Sequence, residues 1–133
     1  MQNVAVPIFA CRRCGHYLTA AVTEVPLPAP VTATATDLDG SMPARLPRGN
    51  YADSEQQAGF VLNPDDVTGA SAHPDPGRRN GCCGLDGLDG PNMVCASCGA
   101  EIATQQSDCW TQQQITILRD AARPARPIPH GNV

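Results

Sequence analysis

Apolar positions along the chain fall in short runs of strand length, separated by stretches rich in Pro, Gly and polar residues. The 13 Pro and 12 Gly are spread along most of the sequence and leave little room for long helices. Residues 4–10 predict a strand entering a first cysteine pair, and residues 17–25, rich in Thr and Val, predict a second strand leaving it. Pro26 to Pro30 interrupts the pattern, after which 31–36 predicts a short strand and 37–41 a turn. Residues 46–52, around Tyr51, predict a strand that Pro47 confines to a sheet edge. Gly59-Phe60-Val61-Leu62 reads as a fully buried strand and Asn63-Pro64-Asp65-Asp66 as a turn. Residues 70–81 read as a loop, while 93–94, 102–104 and 114–119 complete the β set. The remainder, 121–133, holds three Pro together with Arg123 and Arg126 and reads as a flexible or extended tail.

Composition narrows this all-β expectation. A length of 133 residues fits one domain, placed at 1–120 with the tail at 121–133. Leu, Ile, Val and Phe together number only 24, so the core is thin and a staple of disulfides or metal is expected. The net charge of −4 is too modest to impose disorder. All nine basic residues are Arg, which excludes lysine chemistry such as Schiff-base formation. Residues 1–10 carry neither a basic segment nor a long apolar run, and no stretch approaches the ~18 apolar residues of a membrane helix. The expectation is a soluble, cytoplasmic protein with no membrane association.

The seven cysteines supply the staple. An odd number cannot form a complete set of internal disulfides. Four of them sit in two matched pairs, Cys11-Arg12-Arg13-Cys14-Gly15 and Cys95-Ala96-Ser97-Cys98-Gly99, each followed by a short run ending in Leu or Ile. Two intervening residues form a tight turn that aims both sulfurs at one ion, and the following Gly permits the positive φ that closes the turn. Two such knuckles give four thiolates, the closed tetrahedral set of a structural Zn²⁺. One thioredoxin-like redox pair is disfavoured because the motif is duplicated and no helix is predicted, and a four-cysteine iron–sulfur cluster fits the Gly-flanked knuckles less well. Most of the domain lies between the knuckles, so the metal is expected to close a long loop and its removal to unfold the domain.

Cys82, Cys83 and Cys109 remain. They read as reduced thiols packed beside the zinc hairpin, with a second metal site (joined by His73 or His16) or a redox group as the alternatives. The Leu-Asp-Gly repeats around Asp86 and Asp89, and Asp37 to Ser41, read as tight turns, since neither continues to the bidentate Glu of a calcium loop.

Cys11, Cys14, Gly15, Cys95, Cys98 and Gly99, bracketing a β-rich insert, resemble the zinc-stapled β-tent folds of the Mss4, Yippee and methionine sulfoxide reductase B groups. Residues 81–110 resemble an uncharacterised group of small actinobacterial proteins, which implies no activity. The reductase resemblance makes Cys109 a candidate nucleophile, although the Arg-x-Cys-x-Asn surroundings usual in that group are missing here. The three His lack metalloprotease spacing, and the chain is not expected to be an enzyme. A pI near 5.1 argues against general nucleic-acid binding by a zinc ribbon, leaving Arg12, Arg13, Arg119, Arg123 and Arg126 as local candidates, and five aromatic residues offer no stacking platform. The function expected is that of a small zinc-stabilised binding module, acting in protein–protein interaction or as a structural component of a larger assembly.

Overall fold

The structure, a computed structural model, describes residues 6–30, 42–82, 84–109 and 111–125; the strand expected at 31–36, the turn at 37–41, and Cys83 and Arg126 lie outside them. The described residues form β1 (Ile8–Cys11), β2 (Thr23–Glu24), β3 (Asn50–Ser54), β4 (Gly59–Leu62), β5 (Ala70–Ala72), β6 (Met93–Cys95), β7 (Glu101–Gln106), β8 (Gln114–Leu118) and β9 (Ala122–Ala125). Only two short 3-10 turns, Pro64–Asp66 and Pro76–Arg78, interrupt the strands, so the protein is all-β. Among the described residues no helix is long and apolar enough to cross a membrane.

Seven strands make one sheet in the order β2-β3-β4-β8-β7-β6-β5, and β1 and β9 form a separate antiparallel pair. The pair closes over one face of the sheet. Phe9 of β1 lies 5.0 Å from the Tyr51 ring of β3 and 4.6 Å from the Phe60 ring of β4, measured between centroids. Leu18, Leu62, Ile102, Ile115 and Ile117 fill the rest of this core. A smaller cluster on the opposite face joins Leu46, Ala52 and Val61, with Val25 and Leu27 packed against it. Burial of β4 on both faces explains its unbroken Gly-Phe-Val-Leu run, since a strand covered on one side only would alternate with polar residues. Gly59 is required by contact, because a Cβ there would overlap the Ile117 carbonyl of β8.

The structure departs from the sequence-based expectation in four places. The strand expected at 46–52 on a sheet edge is β3, Asn50–Ser54, which starts beyond Pro47 and lies between β2 and β4. Residues 17–25 do not form one strand. Tyr17 and Thr19 make single bridges to Ala10 and Val67, after which the chain crosses to the large sheet and pairs Thr23 and Glu24 with β3. Ala70–Ala72, expected as loop, instead pair with β6 as the outermost strand of the large sheet. The segment expected as a tail enters the fold as far as Ala125: β9 pairs with β1 from Ile8↔Ala125 to Cys11↔Ala122, and Ala122 is fully buried. Pro124 lacks an N–H but is tolerated because β9 is paired on one side only.

Candidate metal centre

Each half of the centre is a strand end followed by a tight turn. Cys11 closes β1 and Cys95 closes β6; both are only 1% exposed, whereas Cys14 is exposed and Cys98 half-buried. The two turns repeat the same hydrogen bonds. The Gly15 N–H donates to the Cys11 carbonyl at 2.8 Å and the Gly99 N–H to the Cys95 carbonyl at 2.9 Å. The Cys11 N–H donates to the His16 carbonyl at 2.9 Å and the Cys95 N–H to the Ala100 carbonyl at 2.8 Å. Gly15 and Gly99 share a φ of 80°, in the left-handed region, yet a Cβ at either would meet nothing within 4 Å. Conformation alone therefore demands glycine at these two positions.

The knuckles meet across the molecule. Cys11 Sγ lies 3.7 Å from Cys98 Sγ, Cys14 Sγ lies 3.7 Å from Cys95 Sγ, and all four sulfurs are within 4.8 Å of one another. A tetrahedral ion with bonds of about 2.3 Å to sulfur sets an edge of about 3.8 Å. The observed separations match that edge and are far longer than the ~2.05 Å of a disulfide. The four cysteines are thus arranged to hold one metal ion. Each of the two close pairs takes one sulfur from each knuckle, so an ion here joins β1 to β6.

Gly69, which the sequence does not mark out, ties the two halves together. Its N–H donates to the Leu18 carbonyl at 3.0 Å, and its own carbonyl accepts the Ala96 N–H at 2.9 Å. Chain leaving the first knuckle is thereby linked through one residue to the turn of the second. A Cβ at Gly69 would overlap the Tyr17 carbonyl, so no other residue lets the chains approach this closely.

The thiols differ in proton affinity. The His16 backbone N–H stabilises the Cys14 thiolate, and hydrogen bonds with Cys95, Cys98 and Cys11 act in the same direction against a smaller effect of burial, bringing this thiol to about 7. At Cys98 the Ala100 backbone N–H favours the thiolate, but burial and hydrogen bonds with the other three cysteines prevail and push it to about 11. Four sulfurs this close cannot all ionise until a cation compensates them.

The other candidate residues lie elsewhere. Among the described residues the four-cysteine cluster is the one grouping suited to a metal, and Cys82, Cys109, His16 and His73 do not assemble into a second. His73 bonds Glu101 Oε2 through Nε2 at 2.8 Å, and its Nδ1 accepts the Asp75 N–H at 3.0 Å. Cys82 and Cys109 flank Asp108, whose carboxylate is only 1% exposed and accepts their N–H groups at 2.9 and 2.8 Å. This carboxylate ties Cys82 to the chain just beyond β7, and a Cβ at Gly84 would overlap the Ser107 carbonyl. Asn92, fully buried, extends the β6 ladder with its side chain: it accepts the Gln105 N–H at 2.7 Å and donates to the Gln105 carbonyl at 2.9 Å. Of the arginines, Arg119 pairs with Asp53 and lies 4.9 Å over the Phe60 ring. Arg12, Arg13 and Arg123 are exposed and make no ion pair among the described residues.

Comparison with protein-family models, with curated proteins and with solved structures gives no match.

Proposed function

We propose that this protein is a small binding module whose fold is closed by one structural Zn²⁺ held by Cys11, Cys14, Cys95 and Cys98, of the zinc-stapled β-tent kind that the paired knuckles resemble. The observation that carries this reading is the pair of 3.7 Å sulfur separations linking two knuckles of like hydrogen bonding. Zinc suits four thiolates in tetrahedral array, and with all four positions filled by protein the ion is structural, leaving no site for water or substrate. The chain's residues perform the remaining work. Gly15 and Gly99 set the turns, Gly69 joins them, and β1 and β6 present buried sulfurs at fixed positions.

A thin core held rigid by metal leaves a large share of the chain in exposed loops and turns, the composition of a recognition surface rather than of an enclosed reaction site. A protein partner or assembly is the ligand this favours. Elemental mass spectrometry on protein purified without added metal tests the first part of the reading. One zinc per chain is expected; a folded protein without metal, or with iron and inorganic sulfide, would overturn it. Size-exclusion chromatography of the metal-loaded protein with a cross-linked native extract, followed by partner identification, tests the second.

A further inference from the structure

We infer that the outer face of β1 and β9, beside the first knuckle, docks an extended segment of a partner protein that carries both acidic and aliphatic side chains; this rests on the binding-module reading above. Residues directly opposed across an antiparallel pair share a face, and successive residues alternate between faces. Phe9 and Cys11 point into the core, so Ile8 and Ala10 lie on the opposite face, where Ile8 is half-buried and Ala10, only 1% exposed, is covered. Ala10 is bridged by Tyr17 on one side and paired with Arg123 on the other. The Ala10–Tyr17 pair lacks direct backbone bonds between its members, with Leu18 N–H donating to Phe9 and Cys11 N–H to His16, which is the closer of the two antiparallel spacings. Tyr17 and Arg123 therefore flank a short Ala10. Arg12 and Arg13 close the strip at its knuckle end, and Val6 and Ile8 continue it at the other.

Two features mark this strip as a place of recognition. Val6, 40% exposed, and Tyr17, 52% exposed, are two of the three large hydrophobic side chains left exposed among the described residues. Arg12, Arg13 and Arg123 concentrate positive charge in a chain of net charge −4. The second knuckle is an internal control for those arginines. It makes the same turn with Ala96 and Ser97, so knuckle geometry does not require basic residues. Four thiolates around Zn²⁺ leave a double negative formal charge, and three arginines exceed what that charge calls for. Guanidinium forks pair with carboxylates in a bidentate manner, and exposed Val6 and half-buried Ile8 offer contact to apolar side chains. A polyphosphate strand would use the arginines and leave Val6 and Ile8 without contact. From Val6 to Arg12 the strip spans roughly 20 Å at about 3.3 Å per residue, the reach of a short extended segment.

Fluorescence anisotropy of the metal-loaded full chain tests this, using a labelled short peptide of alternating acidic and aliphatic residues, an all-Glu peptide and a thymidine oligonucleotide as probes. The mixed peptide is expected to bind best, and the combined Arg12→Glu, Arg13→Glu and Arg123→Glu variant to weaken it by at least about tenfold. Val6→Ser with Tyr17→Ser should weaken the mixed peptide and leave the all-Glu peptide unchanged. If the charge-reversed chain does not fold, Arg12→Gln with Arg13→Gln reads the same effect. Equal binding of the two peptides, binding indifferent to the arginines, or tighter binding of the oligonucleotide would overturn the inference. Zinc content is measured on every sample. A zinc-loaded folded protein that ignores the mixed peptide defeats this inference alone, whereas a protein without zinc defeats the reading beneath it.

Discussion

At the knuckle glycines, backbone conformation and steric space can be separated. Gly15 and Gly99 hold a φ of 80° with nothing near a prospective Cβ. Gly15→Ala should therefore cost about 1–2 kcal/mol in unfolding of the metal-loaded protein, the price of a left-handed non-glycine residue, and Gly15→Asn distinctly less. Gly69 is the opposite case, an ordinary conformation with no space, since a Cβ there would overlap the Tyr17 carbonyl. Gly69→Ala must push the first knuckle's chain away from the second, at about 1–3 kcal/mol, and should speed metal transfer to a chelator while Gly15→Ala leaves that rate nearly unchanged. The thiols add a pH dependence of definite sign. Ligation needs thiolates, so metal affinity rises with pH. With Cys98 near 11, its proton must be displaced throughout the neutral range, so this thiol alone sets a gain in affinity of at least about tenfold per pH unit. Cys14, near 7, adds a second proton as pH falls below that value, so the slope steepens on the acid side. Competition with a chromogenic chelator between pH 6 and 8 checks this, and an affinity independent of pH would mean that the thiols are not the ligands.

Among the elements, β9 has the largest consequence for the site. It pairs along the whole of β1, with buried Ala122 directly opposite Cys11 and the Ala121 carbonyl accepting the Arg12 N–H at 2.9 Å. Ending the chain at Asp120 should consequently cost both metal retention and cooperative unfolding. Ala122→Asp, which buries a carboxylate beside the core, should lower stability by several kcal/mol, whereas Arg123→Gln on the outer face should stay within about 0.5 kcal/mol. Thermal unfolding followed by far-UV circular dichroism distinguishes the two. The sequence conceals β9 because Ala-Arg-Pro-Ala has no apolar alternation and contains a proline; it becomes a strand only by pairing with β1. The same holds for β5, whose Ala-Ser-Ala is specified by its partner β6. By contrast, β4 is legible with the same bounds as observed, because Gly-Phe-Val-Leu is buried on both faces and needs no periodicity. The four clustered cysteines are legible for a related reason: C-x-x-C-G is a local geometry, complete within five residues. Gly69, Asn92 and Asp108 act through partners distant in sequence, and nothing in their neighbours announces it. The meeting of Arg123 with Tyr17 across Ala10 is hidden likewise, since it exists only once β9 has docked.

For the molecule as a whole, a metal held by the four cysteines would decide whether there is a fold at all. The main core is built around few large side chains, with Ala103, Ala122, Cys11 and Cys95 among its buried members, and the second core has only Leu46, Ala52 and Val61. Two of those core residues, Cys11 and Cys95, also belong to the four-cysteine cluster, so the core and the candidate metal site share side chains. The knuckles join residues up to 87 apart, and closing so long a loop costs entropy that grows only logarithmically with its length. Zinc bound to a four-ligand structural site contributes about 10–16 kcal/mol at neutral pH, as much as the entire stability of a typical domain, about 5–15 kcal/mol. Subtracting it leaves little or nothing. Removing the metal with a chelator under reducing conditions should therefore abolish the cooperative thermal transition and collapse the dispersion of amide signals in a nitrogen–proton correlation spectrum. Adding back Zn²⁺ should restore both, and Cys11→Ser should reproduce the metal-free state even with zinc in excess. Exposed Cys14 gives a chelator access to the ion, so the change should not wait on global unfolding. A metal-free chain that kept a sharp transition and a dispersed spectrum would show that the hydrophobic layers suffice, and would reduce the four cysteines from the closure of the fold to an attachment upon it.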